Sequence, residues 1–117
     1  MESNGDFNLL WSDFEKVEMR IGTVVAVADF PEARKPAYQL TIDFGSKLGL
    51  KKSSAQITKR YQREDLLGKQ IIAVVNFPKK QIGKFYSECL VLGSVGEEND
   101  IVLLTSDLKV ENGLRIG

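Results

Sequence analysis

Between Asn76 and Ser87 the chain reads Asn-Phe-Pro-Lys-Lys-Gln-Ile-Gly-Lys-Phe-Tyr-Ser. Lys79, Lys80 and Lys84 can neutralise phosphates. Phe77, Phe85 or Tyr86 can offer a ring to an unstacked base, a contact worth roughly 1–3 kcal/mol per base. Asn76 and Ser87 add polar groups able to hydrogen-bond a base edge or a 2′-hydroxyl. The same composition also suits an exposed loop whose lysines meet water and whose aromatics close the mouth of a barrel. Two more basic clusters precede it: Lys51-Lys52-Ser53-Ser54-Ala55-Gln56, and Lys59-Arg60-Tyr61 with Arg63.

These clusters belong to a segregated charge pattern. Twelve of the sixteen Lys and Arg residues fall between Ala33 and Lys84, against three of the sixteen acids, so this middle carries +9. Residues 1–32 carry −5 and residues 85–117 carry −4, which brings the formal net charge to zero. Segregation of this kind can build a focused positive face for polyanions. It can equally leave the bases scattered over a solvated surface, with acids of the flanks folding back to pair with them.

Other chemistry is narrowed by what the chain lacks. There is no histidine and only one cysteine, Cys89. A histidine-based triad, a Cys–His dyad and a closed Cys/His zinc site are therefore unavailable within one chain. The acids of the basic segment (Asp43, Glu64, Asp65) show no catalytic spacing, so no enzymatic activity, metal or cofactor is expected. Met1–Leu10 is polar and acidic, unlike a signal peptide. The longest apolar runs, Ile71–Val75 and Ile101–Leu104, are too short to span a bilayer. The expectation is a single domain over residues 1–117, cytoplasmic, with no membrane partner.

The elements that must position the basic clusters can be read in order. Ser12-Asp13-Phe14-Glu15 fits a capping box, and a short helix there would turn Leu10, Trp11, Phe14 and Val17 toward a core. Met19–Phe30 reads as a strand with Met19, Ile21, Thr23, Val25 and Val27 on one side and a bulge or sharp curvature at Gly22. Tyr38, Leu40, Ile42 and Phe44 alternate with polar residues as in a half-buried strand. Gly45–Gly49 reads as a loop and Lys52–Ile57 as a third strand. Tyr61–Leu67 allows about two helical turns, with Thr58 a possible cap and Gly68 at the end. Ile71–Val75 reads as a strand buried on both faces, Asn76–Lys84 as a basic loop, and Cys89–Leu92 and Ile101–Leu104 as further strands. Cys89 is expected in the core, Arg20 beside an acid, and Trp11 over the barrel or an interface. The order of three strands, a short helix and two strands predicts an all-β, five-stranded OB-fold barrel. The helix lies between strands 3 and 4, with an N-terminal helix and a C-terminal extension added.

Asn76–Gly93 resembles the signature of the tRNA-binding domain family, and the resemblance runs from about Phe14 to Leu104. It includes Met19-Arg20-Ile21-Gly22, Pro31-Glu32-Ala33 and Ser54. Within that family the chain is most similar to the CsaA-type subgroup of small stand-alone proteins described as export-related chaperones. The blocks that carry this are Phe30–Arg34, Ile42–Gly45, Ser53–Tyr61 and Val74–Pro78. The resemblance implies an OB-fold, a homodimer, and a surface for tRNA or other structured RNA, for unfolded or pre-export polypeptide, or for both.

The implied binding residues are Lys51, Lys52, Ser54, Lys59, Arg60, Asn76, Phe77, Lys79, Lys80, Lys84 and Ser87. Glu88, next to Ser87, sets a carboxylate where it would repel phosphate. The apolar residues of the two extensions are expected either to join two barrels about a two-fold axis or to wrap their own barrel. Two functions follow: a chaperone-like dimer that binds extended polypeptide with or without tRNA, or a dedicated structure-specific RNA binder with no chaperone role.

Overall fold

The computed structural model describes residues 8–117. The acidic segment 1–7, part of the expected N-terminal extension, lies outside the described residues. The chain runs α1 (Trp11–Lys16), β1 (Met19–Asp29), β2 (Tyr38–Asp43), α2 (Gly45–Leu48), β3 (Leu50–Ala55), α3 (Arg63–Leu66) and β4 (Gln70–Val74). There follow β5 (Lys80–Ile82), β6 (Phe85–Ser87), β7 (Leu90–Val91), β8 (Gly93–Val95), β9 (Ile101–Leu103) and β10 (Arg115–Ile116). None of the described helices is long and apolar enough to cross a membrane.

The main sheet is antiparallel, in the order β3-β2-β1-β4-β7. It curls until its ends meet. The Glu88 amide donates to the Lys52 carbonyl at 2.7 Å, and the Ser54 amide donates to Ser87 Oγ at 3.1 Å. The result is a nearly closed five-stranded barrel with α3 between β3 and β4, as expected. Val24, Leu40, Ile42, Phe44, Leu66 and Ile71 fill it and are fully buried. Each contributes about 1.5–3 kcal/mol through the area it removes from water. Ser53 is the one buried polar residue among the described residues, and its hydroxyl donates to the Cys89 carbonyl at 3.0 Å. Cys89 is buried as expected, and burial pushes its thiol up to about 12. β4 is buried on both faces, with Ile71 and Ala73 in the barrel core and Ile72 and Val74 on the opposite side.

Several local expectations are corrected. The bulge of β1 lies between Val24 and Ala26, not at Gly22. It resets the alternation, so Val24 and Val27 face the core while Val25 is exposed. Gly22 serves close approach instead: a Cβ there would lie 2.7 Å from both Ile42 Cγ2 and Phe44 Cδ1. Helix α1 has Leu10 as its N-cap and no side-chain cap bond. Its apolar residues are not a core face, since Leu10 and Trp11 are largely exposed. The cap of α3 is Gln62, which forms a capping box with Asp65, so Thr58 is not the cap, and the helix has one turn. The stretch read as a basic loop folds from Lys80 onward into the β5–β6 hairpin, turned at Gly83 with φ 61°. Gly45–Leu48 makes a single helical turn rather than a loop.

The C-terminal extension stays with its own barrel over most of its length. The β8–β9 hairpin is bonded to the barrel through Leu104 N to Leu92 O at 3.1 Å and Leu103 N to Tyr61 Oη at 3.0 Å. Residues 110–116 then cross the barrel as a strap and end in β10, which pairs with β1 at Met19 and Arg20. Arg20 does find an acid, Glu18, at 3.2 Å, and it also donates to the Gly113 carbonyl at 3.0 Å.

Candidate binding face beside the β5–β6 hairpin

Directly opposed strand residues point to the same face of a sheet. The registers place Ala26, Thr41 and Lys52 in one row across β1, β2 and β3, and Ala28, Gln39 and Ser54 in the next. These residues are out of phase with the buried Leu40, Ile42 and Ser53, so the two rows form the outer surface of the barrel. Small side chains on β1 and polar ones on β2 and β3 make a low, wettable shelf.

The β5–β6 hairpin borders this shelf. Two depressions of about 210 Å³ each lie between them and share Gln39 and Phe85. Lys52 lines one, and Lys84 together with the carboxylate of Glu32 lines the other. Phe85 is not a free ring, because it packs on buried Phe30 with centroids 5.1 Å apart and planes at 58°. The exposed rings are Phe77 and Tyr86. Tyr86 pairs with Gln81 in the hairpin, out of phase with the Ile82–Phe85 and Lys80–Ser87 pairs.

On the other flank of the hairpin lies an elongated groove of about 490 Å³. Its walls are aliphatic: Ile57, Ile82, Val91, Val95 and Ile101. Ser54, Gln56, Lys80, Ser87 and Asn99 supply its polar groups, and among the described residues no carboxylate lines it. Shelf and groove are thus two sides of one hairpin, one polar and basic, the other apolar.

The expected site residues divide accordingly. Lys52, Ser54, Lys80, Lys84 and Ser87 converge on the shelf and groove. Ser54 and Ser87 also hold the barrel seam through their mutual hydrogen bond. Lys51 points away from Lys52, in phase with buried Ser53, and its charge acts on Cys89. Asn76 is committed at both ends of its side chain: Nδ2 donates to Lys16 O at 2.7 Å and Oδ1 accepts from Glu18 N at 3.1 Å.

Two cations are already matched by acids. Arg60 forms a bidentate pair with Asp100, through Nε to Oδ1 at 2.5 Å and Nη2 to Oδ2 at 3.0 Å. The Asp100 carboxyl is lowered by this hydrogen bond, and Arg60 is raised by the same contact. Lys79 lies 3.9 Å from Glu88. Lys52, Lys59, Lys80 and Lys84 form no ion pair among the described residues.

The sequence reading missed Phe30, Gln39, Thr41 and the aliphatic walls of the groove. The outward phase of Gln39 and Thr41 was visible in their alternation with Leu40 and Ile42. Their adjacency to Lys52 depends on register, which no local pattern encodes. A larger cavity, about 680 Å³, lies elsewhere, between Gly45–Leu48 and the strap. Three cations line it: Arg20 is held by Glu18 and Gly113, Arg115 donates to Glu15 O at 2.9 Å, and Lys47 shares the rim with Glu111.

This barrel, with its basic hairpin and strap, has a counterpart among known families. A family model described as "Putative tRNA binding domain" matches residues 19–115. The chain belongs to this tRNA-binding domain family. Within it, the crystal structure of chaperone CsaA from Bacillus anthracis str. Ames is 54% identical, with a TM-score of 0.89, covering 94% of this chain and 99% of that one. The CsaA chaperone protein of Picrophilus torridus is 49% identical with a TM-score of 0.88, covering 94% of this chain and 100% of that one. The methionine–tRNA ligase of Thermococcus onnurineus is 31% identical over 106 residues, which is 91% of this chain. The chain spans only 14% of that ligase, so the likeness concerns one part of a much larger enzyme. The fold is therefore the OB-type fold of the CsaA and tRNA-binding proteins.

Proposed function

We propose that the chain is one tRNA-binding-type domain acting as a homodimeric, chaperone-like binder of extended polypeptide in the cytoplasm, related to protein export. The observation that carries this is the groove along β5, β7 and β8. Its length and aliphatic walls suit the alternate side chains of an extended segment, and Ser54, Ser87 and Asn99 can pair with peptide groups. Exposed Leu10, Trp11 and Leu108 support a second copy as the cover for the extensions. Two grooves on one rigid body would hold a client by avidity without new contacts.

A second reading, a dedicated RNA binder, is favoured by the shelf, where Lys52 and Lys84 form no ion pair among the described residues, although Glu32 shares the depression of Lys84. Salt separates the two. Bulk tRNA and an unfolded polypeptide should be titrated at low and moderate salt. Phosphate contacts weaken with a slope of about −0.7 to −0.9 per neutralised phosphate, whereas an apolar groove is nearly indifferent. Ile82→Asp should abolish polypeptide binding, and Lys52→Glu with Lys84→Glu should abolish tRNA binding. Polypeptide binding unaltered by Ile82→Asp removes the groove from the reading. A monomer by light scattering at micromolar concentration removes the avidity.

A further inference from the structure

We infer that Glu88 is a built-in anion of the binding face, which sets its preference against RNA. This rests on the RNA reading of the shelf, and the closing test separates the two.

Glu88 grips one residue of β3 from two sides. Its amide donates to the Lys52 carbonyl at 2.7 Å, and its Oε1 accepts from the Lys52 amide at 2.9 Å. The carboxylate is thereby fixed at the barrel seam, beside the strand that carries Lys52 and Ser54. Its second oxygen lies 3.9 Å from Lys79 Nζ. The Glu88 side chain is 28% exposed and that of Lys79 67% exposed.

An ion pair this open does little for stability. Its consequence lies in what the face will accept. A phosphate approaching Lys79 must compete with a carboxylate held beside it by the Lys52 amide. The Lys52 amide, a potential donor to a phosphate oxygen, is already taken. Repulsion built in this way gives specificity that attractive contacts alone do not supply. The polypeptide groove is untouched, because Glu88 does not line it.

Glu88→Gln tests this cleanly, since the amide oxygen can still accept from Lys52 while the charge is lost. Bulk tRNA is titrated against wild type and variant at 50 and 200 mM salt. The expected result is tighter tRNA binding by the variant at 50 mM. Its salt slope should steepen by about one neutralised phosphate, so that it loses about threefold more affinity than wild type across this range. Binding of an unfolded polypeptide should not change. Equal affinity and equal slope for both proteins overturn the inference and leave the RNA reading standing. No tRNA binding by either protein at 50 mM overturns both. Adding Lys79→Gln to Glu88→Gln gives an independent check: the freed cation is then removed and the slope should return to that of wild type, whereas Lys84→Gln alone should flatten it by about 0.7–0.9. A slope that stays as steep in the double variant as in Glu88→Gln also overturns it.

Discussion

The β5–β6 hairpin and the C-terminal strap are both short additions to one barrel, yet they use their residues in opposite ways. The strap is fastened at nearly every position. Val110 donates to Gln70 Oε1 at 3.1 Å, and Gln70 Nε2 donates back to the Val110 carbonyl at 2.7 Å. Asn112 Oδ1 accepts from Thr23 Oγ1 at 2.8 Å, and the Gly113 amide donates to the Ile21 carbonyl at 2.7 Å. The hairpin is held by its own ladder, by Phe85 on Phe30, and by Ser87 at its base. Its lysines are left to solvent. Polar groups with internal partners build structure, and those without remain available to a ligand. That difference, more than net charge, marks the hairpin as the candidate binding region.

The sharpest way to break the comparison is to put the same substitution in both regions. Gly113 and Gly83 both have positive φ, 94° and 61°, so alanine is strained at either. Their surroundings differ. A Cβ on Gly113 would lie 2.5 Å from the Phe44 carbonyl oxygen, which is backbone and cannot step aside, while a Cβ on Gly83 meets nothing within 4 Å. Gly113→Ala should cost about 3 kcal/mol, from left-handed strain plus overpacking. Gly83→Ala should cost about 1 kcal/mol. Chemical denaturation of the two variants checks this. Equal losses would mean that the strap is no more tightly built than the hairpin.

Asn76 sharpens the comparison from within the basic segment. By residue type it was a ligand candidate. In the fold it joins the end of β4 to the link between α1 and β1. Asn76→Ala should lower stability by about 1 kcal/mol through two lost hydrogen bonds. It should leave tRNA affinity within about twofold of wild type. Thermal melting and a tRNA titration on the same sample check both halves. A tenfold loss of affinity at unchanged stability would return Asn76 to the ligand set.

Asn76 also illustrates what a sequence makes legible. The barrel was readable because its signals are local: alternation in Tyr38–Phe44, continuous apolarity in Ile71–Val75, punctuation at Gly68. Lys52, Lys80 and Lys84 were identifiable by type and loop context, and the structure brings them to one hairpin. Lys51 was not separable from Lys52, because only strand phase tells the two faces apart. The duties of Asn76, Arg60 and Lys79 depend on residues 58–60, 40 and 9 positions away, and no spacing rule reaches them. Cys89 and Arg20 were read correctly because one follows from an apolar neighbourhood and the other from a nearby acid.

Arg60 and Asp100 give the smallest and most specific effect. The bidentate hydrogen bonds hold the Asp100 carboxyl below its ordinary value of 3.8. A group depressed in the folded state contributes fully at and above its unfolded value, and the contribution fades as pH falls through the lower folded value. The Gly96–Asp100 loop therefore stays on Arg60 at neutral pH and is released only in acid. Both side chains are open to solvent, so global stability should barely register the change. The carboxyl signal itself should: carbon-detected titration of Asp100 should show a midpoint below 3.8 in wild type and a return toward 3.8 in Arg60→Gln. Arg60→Gln should also leave the salt slope of tRNA binding unchanged, because this cation is already matched. A slope flattened as much as in Lys84→Gln would show that RNA displaces Asp100, and would make this loop part of the binding face rather than part of its frame.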